Sequence, residues 1–230
     1  RDMTERGAGT CVGRPVPPNK VRIIPITDAA IPEWSADLEL KTGQLGEITV
    51  SGPSTTDSYF RRPEATVLSK IREKGADGSE RIVHRMGDLG WFDGEGRLWF
   101  CGRKSQRVLT EMGGLYTEQV EPVFNTHPRV RRTALVGVGE RGKQVPVLCV
   151  ELEAGVKKEE VGRILFELEH IGQGYAHTGR ITHFLVHPRF PVDIRHNAKI
   201  GREQLAAWAA QQLARRERAA AREAKRAPPD

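Results

Sequence analysis

The hydrophobic period of this chain changes once, at Gly102-Arg103, and no other feature constrains its fold as much. Upstream, Pro15, Pro17, Pro18, Pro25, Pro32, Gly43, Gly46, Gly52 and Pro53 cut the first sixty residues into pieces too short for a long helix. Residues 21–26 and 46–51 read as strands, the second alternating Glu47, Ile48, Thr49 and Val50. Residues 58–72 set Thr66, Val67, Leu68 and Ile71 at near-helical spacing behind Pro63, which predicts a short helix and a turn. Two further strands, over residues 82–84 and 97–101, flank the turn Asp93-Gly94-Glu95-Gly96.

Downstream the period lengthens. Val120, Val123 and Phe124 predict a helix over residues 118–126, stopped by Pro128, and strands follow over residues 130–138 and 145–152. Val161, Ile164, Leu165, Leu168 and Ile171 share one helical face, residues 181–187 form another strand, and Leu205, Trp208 and Leu213 anchor a last helix from residue 201. The order α-β-β-α-β-α predicts a two-layer unit. The fold class is therefore α+β: a small β-rich piece over residues 1–103, then a compact α+β unit over residues 104–230. Residues 214–230 lack any large apolar side chain and are expected to be a solvated basic tail.

Composition excludes several classes. No run of about eighteen apolar residues exists and no apolar leader opens the chain, so neither a transmembrane segment nor a signal peptide is expected. Cys11, Cys101 and Cys149 are widely spaced and odd in number, which argues against a disulfide scaffold and for a cytoplasmic location. Half of the net charge of +6 belongs to residues 201–230, where seven Lys/Arg face four acids with no interleaved aromatics. We expect no specific nucleic-acid partner, and a non-catalytic basic binding module is the distant alternative. His183 and His187 have no cysteine or acidic partner at ligand spacing, so no metal site is expected.

Two clusters could carry chemistry. In the first, Gly87 and Gly90 bracket Asp88, and Gly102-Arg103 follows the next strand. Such a carboxylate can accept hydrogen bonds from paired sugar hydroxyls, although a hairpin with turn glycines accounts for the same residues. In the second, Lys199 stands in Phe190-Pro191-Val192-Asp193-Ile194-Arg195-His196-Asn197-Ala198-Lys199-Ile200, just ahead of a helix. A lysine there can reach an anionic group as a flexible point charge, or remain a solvated loop residue.

Taken in order, the motifs resemble the adenylate-forming enzymes along nearly the whole chain. Gly46-Glu47-Ile48 with Gly52-Pro53, and Tyr59 with Pro63-Glu64-Ala65-Thr66, are similar to two of that family's segments. Gly87-Asp88 resembles its "TGD", Gly102-Arg103 its "GR", and Gly113-Gly114 with Glu118 and Glu121 its "G…P.EIE". The resemblance implies that Asp88 and Arg103 bind the ribose of ATP, that Lys104 and Ser105 form a hinge, and that Lys199 holds the substrate carboxylate and α-phosphate during adenylation. Residues 190–200 narrow it, because Arg195, His196 and Asn197 before Lys199 are similar to the "FPVD.RHNAKI" of the β-lactone synthetases of bacterial olefin biosynthesis.

That narrower resemblance implies an ATP-dependent enzyme that adenylates a long-chain β-hydroxy acid and closes it to a β-lactone. ATP with Mg2+ is the implied cofactor, with the Mg2+ ligands upstream of this chain. The implied partners are the upstream large domain of the same enzyme and other olefin-pathway enzymes. An acyl-CoA ligase is the alternative, in which coenzyme A would be used and Gly113 and Gly114 would line a pantetheine path. Three departures stand out. Met86 occupies the usual threonine position, Ser105 the usual hinge aspartate or lysine, and Thr4-Glu5 mimics a family motif by accident. The phosphate loop and adenine-binding segment have no counterpart in the chain, so these 230 residues are expected to be the last third or so of the enzyme and inactive alone.

Overall fold

The computed structural model describes every residue except Ala76, Ile194, Arg195 and residues 225–230, and gives residues 196–198 as backbone only. The chain divides into two compact units: Ala8–Ser105 with Arg1 and Met3, and Gln106–Asp230 with Asp2 and Thr4–Gly7. The short helix α1 (Asp2–Glu5) lies within that leading segment, and Gly7 fits under His177, whose Nε2 stands 2.2 Å from where a Cβ would be. Nothing in the hydrophobic pattern distinguishes those first residues from the β-rich piece that follows.

In the first unit, β1 (Thr10–Gly13), β2 (Lys20–Ile24) and β3 (Gly46–Ser51) precede α2 (Pro63–Ser69), β4 (Lys70–Lys74), β5 (Glu80–Phe92) and β6 (Leu98–Arg103). The sheet runs β1-β6-β5-β3-β2, with β4 paired to the first half of β5 and every pairing antiparallel. Helix α2 opens with Pro63 at its first position and closes at Ser69, whose hydroxyl donates to Ala65 O at 2.6 Å. The helical pattern suggested for residues up to 72 therefore stops early. Ile71 pairs with Val83, both are fully buried, and this cross-strand contact prevails over local spacing.

Strand β5 continues through the Gly87-Asp88 motif, beyond the short strand expected over residues 82–84. Its pairing with β6 shifts between Leu89 and Gly90, and Gly90 is a close approach: a Cβ there would lie 2.6 Å from Trp99 O. The turn comes later, where Asp93 accepts from the Glu95 and Arg97 N–H groups and from Trp99 Nε1, each at 2.9 Å.

The second unit begins with the hairpin β7 (Val108–Thr110) and β8 (Gly113–Leu115), then α3 (Thr117–Phe124), β9 (Val130–Val138), β10 (Val145–Leu152) and α4 (Val161–Gln173). β11 (His183–Val186), the hairpin β12 (Val192–Asp193) and β13 (His196–Ile200), and α5 (Arg202–Ala224) complete it. β10 lies antiparallel to β9 and parallel to β11. Period-two alternation gives this sheet two buried faces. Leu135, Leu148 and Val150 pack with Val120, Phe124, Ile164 and Leu168, while Ala134, Val136, Val147 and Cys149 pack with Phe190, Leu205 and Ala209. Helices α3 and α4 cover one face and α5 the other, so the unit has three layers where the element order alone suggested two. Beyond Leu213, α5 carries mostly exposed residues to Ala224.

Candidate functional site

The antiparallel register of β5 and β6 sets Asp88 opposite Arg103. Arg103 Nε lies 3.1 Å from Asp88 Oδ1, yet that oxygen is buried and receives no hydrogen bond. An ion pair whose N–H points elsewhere leaves the acceptor unmet, which is unusual for a buried oxygen. Burial pushes the Asp88 carboxyl above its ordinary value, and the Arg103 charge pulls it partly back. Arg103 itself is largely exposed, at 60%. The pair thus offers an acceptor in need of donors beside a cation free to turn. Gly87, at φ +69°, has nothing within 4 Å of its Cβ position, so the backbone beside the carboxylate is open.

One layer deeper is a cluster that the motifs alone do not reveal. Glu47 on β3 is 1% exposed and binds two cations: Arg85 Nη2 at 2.7 Å and Lys104 Nζ at 3.0 Å. Arg85 also donates to the Ala29 and Leu68 carbonyls, and both Arg85 and Lys104 donate to Thr27 O. Lys104, one of the two expected hinge residues, is thereby fastened to the sheet. Ser105 is the last residue of the unit. The signal for this cluster was present only as Gly46-Glu47 and the basic residue three before Asp88, and neither shows which charges meet.

The remaining candidates belong to the second unit. Lys199 lies on β13, exposed, next to Ile200, which packs against the Phe190–Leu205 core. Arg195 lies outside the described residues, and His196 and Asn197 are described only as backbone of β13. Gly113 and Gly114 open β8, where Gly113 has φ +104° and stands at the exposed Met112 tip. Arg180 Nη1 holds that tip by donating to Met112 O at 2.7 Å. Cys149 is free and buried in the same unit, and burial pushes its thiol up to about 12, which removes it as a nucleophile. Among the described residues no three His, Cys, Asp or Glu side chains gather as a metal site, and no helix is long and apolar enough to cross a membrane.

No family model matches the chain. It is 65% identical over 212 residues to an olefin β-lactone synthetase of Xanthomonas campestris, covering 92% of this chain and 38% of that protein. A second olefin β-lactone synthetase, from Stenotrophomonas maltophilia, is 61% identical over 216 residues, covering 94% of this chain and 39% of that protein. The chain thus spans less than two-fifths of the length of these relatives. Among solved structures, the amide bond synthetase McbA from Marinactinospora thermotolerans superposes with a TM-score of 0.66 at 25% identity, over 86% of this chain and 36% of that one. O-succinylbenzoate coenzyme A synthetase from Bacillus subtilis, solved with ATP and magnesium ion, gives 0.60 at 25% identity, over 85% and 35%. By sequence and by fold the chain belongs to the adenylate-forming enzymes, as a homologue of the C-terminal portion of the olefin β-lactone synthetases.

Proposed function

We propose that this chain is the C-terminal part of an enzyme that adenylates a long-chain β-hydroxy acid with ATP and closes the adenylate to a β-lactone. The observation that carries the reading is the identity of 65% and 61% to two olefin β-lactone synthetases across more than nine-tenths of the chain, the Lys199 segment included in the motif resemblance. In the first step the acid's carboxylate attacks the α-phosphorus and pyrophosphate leaves. In the second the β-hydroxyl oxygen attacks the acyl carbonyl, loses its proton, and AMP leaves, so no thiol is required.

The chain's own residues divide the work. Asp88 Oδ1, buried and without a hydrogen bond, suits a ribose hydroxyl donor, and Arg103 beside it adds positive charge toward the nucleotide. Lys199, exposed on β13, supplies positive charge to the carboxylate and α-phosphate as negative charge develops there. Lys104 and Ser105 serve as the hinge between the two steps. Mg2+ is held by residues outside this chain, which also lacks a phosphate loop, so the 230 residues alone catalyse no ATP-pyrophosphate exchange.

An acyl-CoA ligase is the second reading, favoured by 38% identity over 117 residues to a 2-succinylbenzoate–CoA ligase of Bacillus cytotoxicus. The full-length protein decides between them. Given ATP and a β-hydroxy fatty acid, it forms lactone and AMP in the absence of coenzyme A. A thioester formed only when coenzyme A is added would replace this reading with the ligase.

A further inference from the structure

Lys199 lies on a hairpin of only a few paired residues, Val192 with Ile200 and Asp193 with His196. So short a ribbon has little stability of its own. Its two ends, however, are held by buried carboxylates on other elements. At the entering end, Phe190 is 2% exposed and its N–H donates to Glu151 Oε2 at 2.7 Å. Glu151, on β10, is itself held by Arg132 at 2.9 Å and Arg131 at 3.4 Å, and the Arg132 guanidinium lies 5.2 Å from the centre of the Phe190 ring. At the leaving end, Arg202 opens α5 and makes a two-pronged contact with Glu121 of α3, at 2.5 Å and 2.9 Å. Glu121 also accepts from the Leu135 N–H of β9 at 2.8 Å. The two ends are then joined, because Gly201 N–H donates to Pro191 O at 2.7 Å.

From this we infer that Glu121 and Glu151 are positioning residues for Lys199: they clamp the two feet of its hairpin and set where the exposed ammonium can reach. The inference rests on the reading that Lys199 serves adenylation. The arrangement has a physical logic. A flexible lysine on a mobile ribbon would spread its charge over a wide volume, whereas electrostatic help at a reacting phosphate depends on placement within a fraction of an ångström. Lys199 is only two residues from the pinned Gly201, so the stiffness of the feet passes almost directly to it. Neither carboxylate needs to touch substrate for this.

The test uses the full-length protein. Glu151→Ala removes one foot. The double variant Glu121→Gln with Arg202→Met removes the other without leaving a buried charge unpaired, which keeps the fold available if Glu121→Gln alone does not. Each is expected to lower kcat for ATP-pyrophosphate exchange at least tenfold with little change in KM for ATP, while ring closure from a supplied acyl adenylate stays within about twofold. Glu151→Gln, which retains an acceptor for the Phe190 N–H, recovers most of the exchange. In a Lys199→Ala background neither foot variant reduces exchange further, since all act through one group. Equal loss in both half-reactions, or a full additional loss in that background, overturns the clamp. Lys199→Ala alone tests the underlying reading, which fails if both half-reactions fall alike. The clamp is then decided by hydrogen exchange: amides of residues 192–200 exchange at least tenfold faster in the foot variants with residues 161–173 unchanged, and no such acceleration overturns it.

Discussion

Glu47 shows how much a single buried side chain can organise. It is 1% exposed and faces two cations, Arg85 at 2% exposure and Lys104 at 18%. Replacing it with glutamine keeps the shape and leaves two positive charges against one neutral amide. The expected cost is about 3–5 kcal/mol, because removing one partner strands the charges that remain. Urea unfolding followed by Trp91 and Trp99, stacked 5.8 Å apart in the same unit, reads this directly, and a change below about 1 kcal/mol would show the cluster to be solvent-like. The sequence announced Asp88 and Arg103 through their motifs but gave no hint of Glu47's partners. Charges on β3, on β5 and just after β6 meet only because antiparallel pairing brings these separate segments together. Pairing of that kind is a property of the sheet, invisible in local patterns.

At the level of elements, long and strongly periodic segments were legible: β9, β10, α3, α4 and the core turn of α5 lie where apolar spacing put them. Several short elements were not, although the four-residue β11 lies within the strand expected over residues 181–187. β1, β7, β8 and β12 have two to four residues each, too few to display a period, and β4 was hidden inside a helical spacing that its pairing with β5 overrides. The same dependence on partners governs the stability of β10. Burial alone would raise the carboxyl of Glu151, but the Phe190 N–H with Arg132 and Arg131 outweighs it and holds the group below its ordinary value. The sign follows: this contribution is fully present above the unfolded carboxylate's range and is lost as pH falls through the lower folded value. Unfolding free energy of the second unit should therefore decline on acidification below about pH 4.5, and Glu151→Gln should flatten that decline. An unchanged acid limb in the variant would assign the pH dependence to other carboxylates.

For the molecule as a whole, a hydrophobic fraction of 38% suffices for separate cores. Ile24, Ile71 and Val83 serve the first unit, while the second buries apolar side chains on both faces of its sheet. Leu168 is fully buried within α4, so Leu168→Ala should cost about 2–5 kcal/mol. The loss should appear as faster hydrogen exchange across α4 and β9 while β3 and β5 keep their protection. Acceleration throughout both units would mean that they unfold as one. What the sequence could not convey at this scale was the third layer, since the order of elements is the same whether α5 lies beside α4 or across the sheet from it.

The Lys104–Glu47 contact has a further consequence, one of mechanical insulation. Arg103 and Lys104 are neighbours, and the lysine's side chain is anchored to Glu47 on β3, so strain applied along the chain beyond Lys104 meets that buried ion pair before it reaches the Asp88–Arg103 pair. The geometry of the carboxylate and guanidinium is thereby shielded from displacements of the residues that follow them.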